Sequence, residues 1–387
     1  MAEIQTNAPV KKILFLTTGL SSGGAEMMLY KLLCGMNRQR FEPVVISLMN
    51  RGTLGDRIES LGVPVHSLGM KAGVPTLLAP WQLIGKIRQI QPDLIQGWMS
   101  HSNLAAQSAS IFASKPIPIL WNIRHSVLSR ADTKLSTLFI INLLSYLSYL
   151  PAKIIYNSKV GAEGHQQIGY RSDKTTIIPN GFDTQLFAPS AEARSIVRAE
   201  LNLPEDTFLI GRMGRFHPMK DPGTFLQAAA LLLEIEPDVH FLLVGRKMDW
   251  ENQLLQRLIK ELSLSERIHL LGERQDIPRL TAALDIASSS SYSEGFANVI
   301  GEAMSCGVLC VVTDAGDSAW IVGETGRVVP IRDPNALCAA WIDLIKMETL
   351  ARRELGARAR ERIKAEFSIE AIVKQYEKLY EEQLYGI

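Results

Sequence analysis

The stretch Gly211-Arg-Met-Gly-Arg-Phe-His-Pro-Met-Lys-Asp-Pro222 indicates the fold, because it joins an apolar run at 207–213 to a helical pattern at 222–234. A short apolar run, a turn and an amphipathic helix, in this order, are typical of the parallel strands of α/β proteins. The predicted strands are 12–17, 43–48, 64–68, 94–97, 118–121, 153–157 and 175–179 and, after a break, 207–213, 239–245, 268–271, 285–288, 309–313 and 326–329.

The break between the two series predicts two tandem doubly wound, Rossmann-like domains. Turn residues begin at Pro179-Asn180-Gly181, and a polar helical segment follows at 191–201. We therefore expect an N-terminal domain at 1–190, a C-terminal domain at 191–367 and a closing amphipathic helix at 368–387. Ligands of such sheets bind at the carboxyl ends of the strands, so a deep cleft between the domains is the expected active site.

The composition is that of a globular protein, with 387 residues, 47% of them apolar and 21% charged. These values exclude disordered, collagen-like and coiled-coil chains. The 41 basic and 40 acidic residues nearly balance, which argues against a nucleic-acid-binding protein. The balance hides an asymmetry, since residues 1–190 carry 18 basic and 10 acidic side chains and the rest carry 23 and 30. One half is therefore expected to face an anionic surface or ligand.

The pattern of cysteines and the lack of a recognisable secretory signal favour a location in the cytoplasm. The four cysteines form no C-x-x-C pair, and the apolar run at 13–16 is too short for a secretory signal. Residues 135–152 are apolar but contain several polar residues, so a membrane-spanning helix is rejected. A core helix is the main interpretation. The alternative is a helix at a membrane interface, flanked by Arg130, Lys134 and Lys153, on the inner face of the membrane.

Two cations in the quoted stretch predict an anion site. Asp221 is a plausible N-cap and Pro222 a good first helical residue, so a helix N-terminus is expected here. Arg215 and Lys220 flank it, and together with the helix dipole they can hold the two phosphates of a diphosphate. The alternative is a solvated loop with two surface charges.

A second motif, Ser293-Glu-Gly-Phe-Ala-Asn-Val-Ile-Gly-Glu302, follows a serine-rich strand end. Gly295 permits a sharp turn, and a helix starting near Phe296 would leave the backbone N–H groups of Phe296, Ala297 and Asn298 free for ligand oxygens. Glu294 and Glu302 can accept hydrogen bonds from the paired hydroxyls of a sugar and a ribose. The alternative is that both glutamates are ordinary surface charges.

Two further sets of candidates follow strands of the first series. Gly23 and Gly24, in Thr17-Thr-Gly-Leu-Ser-Ser-Gly-Gly-Ala-Glu26, allow a ligand close approach, although a plain tight turn is an alternative. His101 and His125, the latter beside Arg124, are expected on the ligand side of the first domain, or else as structural histidines. No cluster has zinc spacing and no Asp-x-Asp occurs, so no metal is expected.

Taken together, these residues resemble the retaining glycosyltransferases of family 4, whose Glu-x7-Glu motif is similar to Glu294–Glu302. The turn at Gly23–Glu26, Pro179-Asn180-Gly181, Arg215 with Lys220, and the closing helix agree in order. The resemblance covers nearly the whole chain. It implies a GT-B fold and metal-independent transfer of a hexosyl group, with retention, from a nucleotide sugar, usually UDP-linked.

The resemblance also implies residue roles. Arg215 and Lys220 would bind the diphosphate and stabilise it as it leaves. Glu302 would bind the ribose, and Glu294 and His125 would lie near the donor sugar. Residues 295–298 would hold sugar and phosphate through the backbone. Ala297 departs from the usual glycine, which leaves the donor sugar open.

The acceptor is expected to be a glycan, a lipid-linked glycan of surface polysaccharide synthesis, or a small molecule. His101 and Arg124 are candidates for its site, and the basic first half suits an anionic membrane. The rival functions are a GT-B UDP-sugar epimerase or hydrolase, and a catalytically silent sugar-nucleotide-binding protein.

Overall fold

The computed structural model describes residues 9–21, 23–71, 78–125 and 135–386 and divides into two compact units. The first unit comprises Met1–Gly181 and Ile372–Ile387, and the second comprises Phe182–Ala371. The chain thus changes units between Gly181 and Phe182, whereas the sequence analysis places the boundary at 190. Arg130 and Lys134, named for the interface helix, lie outside the described residues.

The sheet of the first unit has seven parallel strands in the order β3-β2-β1-β4-β5-β6-β7. The strand order reverses between β1 and β4, and such a reversal creates a ligand crevice at the carboxyl ends. The strands are β1 Lys11–Thr17, β2 Phe41–Ser47, β3 Val65–Ser67, β4 Leu94–Trp98, β5 Ile119–Ile123, β6 Lys153–Tyr156 and β7 Thr175–Ile177.

Helices connect these strands as a parallel sheet requires. They are α1 Gly24–Gly35, α2 Gly55–Glu59, α3 Ala79–Ile90, α4 Ser100–Ser110, α5 Leu135–Leu147 and α6 Lys159–Gln167, with a 3₁₀ turn at Ser172–Lys174. The sequence pattern does not predict α3, α4 and α6. Strand residues such as Leu14, Leu16 and Ile95 are fully buried and form the core with the inner faces of the helices.

The apolar helix α5 is only partly a core helix. Ile141 and Leu144 are buried, but Leu135, Phe139 and Tyr146 are 84%, 68% and 81% exposed. The expectation of a core helix is therefore correct for one face only. None of the helices within the described residues combines the length and the apolar composition needed to span a bilayer.

The second unit repeats the architecture with six parallel strands in the order β10-β9-β8-β11-β12-β13. Its strand order reverses between β8 and β11, directly before the two motifs singled out in the sequence. The strands are β8 Leu209–Met213, β9 His240–Val244, β10 Ile268–Leu270, β11 Ile286–Ser289, β12 Leu309–Thr313 and β13 Arg327–Val329. Each predicted strand overlaps one observed strand, and the two predicted Rossmann-like sheets are confirmed.

The helices that follow are α7 Ala191–Glu200, α8 Pro222–Leu233, α9 Gln253–Glu261, α10 Ile277–Ala282, α11 Asn298–Ser305, α12 Ser318–Val322, α13 Pro334–Lys346, α14 Thr349–Arg362 and α15 Ile369–Tyr385, with a π turn at Ile363–Phe367. The helix predicted to start near Phe296 begins two residues later, at Asn298. Phe296 is buried and stacks on Phe182, and Ala297 has an extended backbone with φ −84° and ψ 93°. Core packing of Phe296 thus takes precedence over helix formation.

The closing helix α15 crosses back, as expected, because its residues from Ile372 onward belong to the first unit. Tyr376 stacks on Trp98 at 6.3 Å between ring centroids. The hydroxyl of Tyr380 donates to Gln96 Oε1 at 2.7 Å, and its ring meets Phe15 edge to face. The helix therefore supplies core side chains against β1 and β4.

Candidate active site

The loop after β8 ends in a capped helix N-terminus. The Asp221 carboxylate accepts from the backbone N–H of Thr224 at 3.2 Å and from its hydroxyl at 2.7 Å, and Pro222 is the first residue of α8. The predicted N-cap is therefore confirmed. Asp221 has a positive φ of 46°, which brings the turn Pro218–Lys220 sharply onto the helix. Such an end offers N–H groups and a favourable dipole to an anion.

Lys220 and Glu294 are brought together although 74 residues separate them in the sequence. The ammonium of Lys220 forms an ion pair with Glu294 Oε1, and the hydroxyl of Ser291 donates to the same oxygen at 2.7 Å. Tyr292 adds a backbone hydrogen bond to the carbonyl of Met219 at 3.0 Å. The loops after β8 and β11 are therefore joined at the carboxyl edge of the sheet.

Arg215 differs from Lys220. Arg215 is exposed, and its guanidinium has no hydrogen-bonding or ionic partner among the residues that the structure describes. Glu302 lies on the second turn of α11 and is half-buried. An uncommitted cation next to a helix N-terminus is what an incoming anion requires.

The backbone of the Glu294–Ala297 turn is fixed from below by Gly316, which the sequence analysis does not single out. Gly316 has a φ of +59°, and a Cβ there would overlap the carbonyl of Glu294 and lie 2.6 Å from that of Gly295. The backbone N–H of Asp317 donates to the Gly295 carbonyl at 3.0 Å. Gly295 is therefore held through its carbonyl, while Asn298 begins α11 with its N–H at the helix N-terminus.

Arg212 is a second residue that the sequence analysis does not assign. It is 3% exposed and donates to the carbonyl of Lys220, while its Nε and Nη1 have no hydrogen-bond partner among the described residues. Burial lowers the pKa of Arg212 to about 10, against the opposing effect of the Glu294 and Asp221 carboxylates. The side chain thus remains a cation at neutral pH beneath the Lys220 turn. Its position in the strand pattern, an Arg in a buried strand, is the signal that could have identified it.

In the first unit, the glycine turn opens α1. Gly23 is the N-cap with an extended backbone, Gly24 is the first helical residue, and both are exposed. Among the described residues no side chain caps this end, and the Glu26 carboxylate of the first turn lies beside Gly23. The turn follows β1, on the same edge as His101 after β4 and His125 after β5.

The two histidines are neutral at pH 7. Burial lowers the pKa of His101, and burial, followed by the nearby His165 and His101, lowers the pKa of His125 to about 4. Neither ring nitrogen of His125 has a hydrogen-bond partner among the described residues, and its ring meets that of His165 edge to face at 5.4 Å. His125 is therefore a neutral group whose two ring nitrogens are unpaired within the described part of the chain.

Arg124, expected as an acceptor candidate, is engaged within the fold. Its guanidinium donates to the hydroxyl of Tyr376 at 3.0 Å and to Asn180 Oδ1, and it lies 5.0 Å from the ring centre of Trp98. These contacts join the closing helix and the turn at Asn180 to β5. A structural role therefore accounts for Arg124 by itself.

No three His, Cys, Asp or Glu side chains converge as metal ligands anywhere in the described ranges. The cysteines are free, with Cys34 exposed and Cys306, Cys310 and Cys338 buried.

Comparison with known proteins gives two family matches and similar relatives. The family "Glycosyltransferase Family 4" matches residues 22–186 and "Glycosyl transferases group 1" matches residues 207–347. N-acetyl-alpha-D-glucosaminyl L-malate synthase of Bacillus anthracis is 32% identical over 48% of this chain and 48% of its own, so the chain aligns with about half of that relative. Lipopolysaccharide core biosynthesis glycosyltransferase LpsE of Rhizobium meliloti is 27% identical over 92% of this chain and 94% of its own.

Among solved structures, HepE of Anabaena in complex with UDP is 26% identical, with a TM-score of 0.81 over 96% of this chain and all of that one. The same protein has been solved with UDP-glucose. The two family matches occupy the two observed units in turn, and the structural likeness extends over nearly the whole chain. The chain therefore belongs to the glycosyltransferases of group 1 and family 4, with the GT-B fold.

Proposed function

We propose that the protein transfers a hexosyl group from a UDP-sugar to an acceptor hydroxyl, with retention at the anomeric carbon and without a metal. The Lys220–Glu294 ion pair at the switch point of the second sheet is the observation that carries the proposal. Arg215 lies on the same loop as Lys220, and its guanidinium has no partner within the described part of the chain. HepE, similar over nearly the whole chain and solved with UDP and with UDP-glucose, supports the nucleotide.

The proposed roles follow from the charges of the second unit. Arg215 and Lys220 bind the diphosphate together with the N-terminus of α8, and they stabilise it as negative charge develops on departure. Glu302 accepts hydrogen bonds from the ribose. Glu294 accepts from hydroxyls of the donor sugar, with the backbone of residues 295–298 holding sugar and phosphate oxygens.

The bond changes of the reaction are balanced without a cofactor. The bond between the anomeric carbon and the diphosphate oxygen breaks, and a bond to the acceptor oxygen forms on the same face. The acceptor hydroxyl loses its proton to the departing diphosphate. His125, neutral because burial lowers its pKa to about 4, contributes a hydrogen bond to the donor sugar rather than a charge. Gly23 and Gly24 let the donor approach the backbone closely.

The acceptor is proposed to be a glycan or a lipid-linked glycan. The basic first half of the sequence supports an anionic acceptor or membrane surface, and LpsE, a relative that matches over most of both chains, is named for lipopolysaccharide core synthesis. The Bacillus anthracis relative is named for an L-malate acceptor, which keeps a small-molecule acceptor as the second candidate. The proposed location is the cytoplasm, peripherally on the inner face of the membrane.

Detection of UDP release tests the reaction class. Release that depends on an added acceptor supports transfer, an epimerised sugar nucleotide would indicate an isomerase, and binding without turnover would indicate a silent binding protein.

A thermal-shift screen against UDP-, GDP- and ADP-sugars identifies the donor, because a bound ligand raises the melting temperature by mass action. NMR of the product's anomeric proton tests retention. Activity should survive EDTA, and its loss there would contradict a metal-independent mechanism.

A further inference from the structure

An apolar cavity of about 900 Å³ lies in the first unit, and the proposed reaction uses only its edge. α3, α4 and α5 contribute to its lining, together with the loops after β2 and β3. The larger apolar side chains among its lining residues include Met49, Leu68, Met70, Leu83, Leu104 and Ile140. Ligand pockets of this size bury most of a small molecule, and an apolar lining selects an apolar one.

One face of α4 is directed at the cavity. His101, Leu104, Ala105 and Ser108 all line it, and their spacing of three and four residues puts them on one helix face. Leu104 and Ala105 are only half-buried although they are apolar. The face therefore offers apolar surface that an apolar ligand would remove from water.

The cavity reaches two different kinds of surface. Thr18 and His101 follow β1 and β4, so part of the lining belongs to the switch-point edge of the sheet. Phe112, another lining residue, contacts the ring of Trp81 at 6.4 Å between centroids, and Trp81 is 67% exposed. Exposed aromatic rings of this kind are enriched where proteins meet lipid.

Two basic side chains lie at the cavity or at one of its lining residues. Lys71 lines the cavity, and Arg88 donates to the carbonyl of Phe112 at 3.1 Å. An apolar cavity with cations at its border complements a molecule that has an apolar chain and an anionic group.

We propose that this cavity binds the aliphatic chain of an acceptor that also carries an anionic group, with the reacting end of the acceptor at Thr18 and His101. The identification of the occupant as the acceptor rests on the proposed function. The binding of a molecule with an aliphatic chain and an anionic head does not depend on the proposed function, and this binding can be measured without turnover.

The first test compares alkyl phosphates of two lengths on the full chain by titration calorimetry, below the concentration at which they aggregate. Octyl phosphate should bind on the order of 100-fold more tightly than butyl phosphate, because four more methylenes leave water at up to about fourfold each. Equal affinity for the two lengths would overturn the proposal.

Matched variants test whether the alkyl chain of the ligand lies in the cavity. Ser108→Trp fills the cavity from an exposed position and should weaken octyl phosphate binding at least tenfold, with butyl phosphate unchanged. Ser110→Trp, the same change on the same helix at a residue that does not line the cavity, should leave both affinities unaltered. Ala105→Leu, a smaller filling, serves if Ser108→Trp does not fold. Equal effects at positions 108 and 110 would overturn the assignment of the cavity.

Charge-reversal variants and vesicle binding distinguish an anionic ligand in the cavity from a bilayer or a second copy of the protein. Lys71→Glu should weaken octyl phosphate several-fold, whereas Lys374→Glu, at an exposed lysine on α15, should not. If the protein binds phosphatidylglycerol vesicles but binds octyl and butyl phosphate with equal affinity, the apolar surface of the cavity would be assigned to contact with a bilayer instead. A change of oligomeric state in Ser108→Trp without an effect on octyl phosphate would assign the cavity to a second copy. If the wild-type protein does not bind UDP, the proposed function is contradicted. A preference for octyl phosphate over butyl phosphate would in that case still support chain binding in the cavity.

Discussion

The ammonium of Lys220 and the carboxylate of Glu294 form an ion pair at the carboxyl edge of the second sheet. Their side chains are 27% and 11% exposed, so the pair is largely withdrawn from water. A diphosphate that binds to Lys220 has to share this cation with Glu294. The two residues are therefore expected to respond in opposite ways when nucleotide affinity is measured.

Lys220→Ala should lower kcat by about 10²–10³-fold, the usual effect of removing one donor that stabilises charge in the transition state. UDP affinity should also fall, because Lys220 binds the diphosphate of the product. Lys260→Ala, at an exposed lysine on α9, is the matched control and should retain wild-type kinetics. Near-normal turnover of Lys220→Ala in steady-state assays would refute the assignment.

Glu294→Gln removes the negative charge but retains an oxygen that accepts from Ser291 and Lys220. UDP should bind more tightly, by about tenfold at low salt, because Lys220 is no longer shared with a carboxylate and a nearby repulsion is lost. Turnover should fall nevertheless, since the amide is the weaker acceptor for sugar hydroxyls. Calorimetry with UDP and steady-state kinetics test the two effects, with the exposed Glu251→Gln as control. Weaker UDP binding would argue against competition for Lys220.

Gly316→Ala should lower both kcat/KM and stability, because the added Cβ overlaps the carbonyl of Glu294 and φ is +59°. We expect a loss of about 1–3 kcal/mol in the free energy of unfolding of the second unit. Gly85→Ala is the control, since no atom lies within 4 Å of its added Cβ and alanine favours the interior of α3. Denaturant melts and steady-state kinetics of the two variants test this. Equal unfolding free energies and equal kcat/KM values would show that the turn at Glu294 adjusts to the added Cβ, against the prediction.

Tyr376→Phe removes a hydroxyl that accepts from Asn122 Nδ2 at 2.8 Å and from Arg124 Nη1 at 3.0 Å. The free energy of unfolding should fall by about 1–3 kcal/mol, because the buried amide of Asn122 and the half-buried guanidinium of Arg124 lose a partner. Tyr385→Phe, at a partly exposed position on the same helix, should change it little. If Arg124 instead serves mainly to bind acceptor, Tyr376→Phe would alter the KM for acceptor without altering stability.

Acid should destabilise the second unit through His240. Arg267 Nη1 lies 2.9 Å from His240 Nε2, which must accept, so Nδ1 carries the proton towards His269 Nε2 at 2.9 Å. Burial, followed by His269 and Arg267, lowers the pKa of His240 to about 4, against 6.5 unfolded. The unfolded chain then binds the extra proton first, so stability is lost as pH falls from about 6.5 to 4. Denaturant melts of His240→Gln should show a smaller loss of unfolding free energy than wild type between about pH 6.5 and 4. Above pH 7 the unfolding free energies of the two proteins should change with pH in parallel.

The fold could be predicted from the sequence because its signals are local. Buried parallel strands appear as short apolar runs, and each predicted strand overlaps one in the structure. Asp221 was identifiable as an N-cap because a cap depends on the three residues that follow it. Helix α4 was not identified, since one of its faces lines a cavity and its sequence has little amphipathic contrast.

The site was predicted in part, and the remainder depends on contacts between distant residues. Sheet topology places the loops after β8 and β11 side by side, but the sequence does not tell that Lys220 pairs with Glu294. The structural role of Arg124 depends on Tyr376, 252 residues away. The start of α11 at Asn298 depends on the packing of Phe296 against Phe182, again a tertiary effect.

The return of α15 to the first unit has a consequence for synthesis. The whole second unit, Phe182–Ala371, is translated between the two pieces of the first. When residues 1–181 emerge from the ribosome, Phe15, Gln96 and Trp98 lack Tyr376 and Tyr380, their partners on α15. The N-terminal unit is therefore begun first and completed last, which reverses the usual order of domain folding during translation. Until α15 is made, these side chains of β1 and β4 lack the partners that cover them in the folded protein.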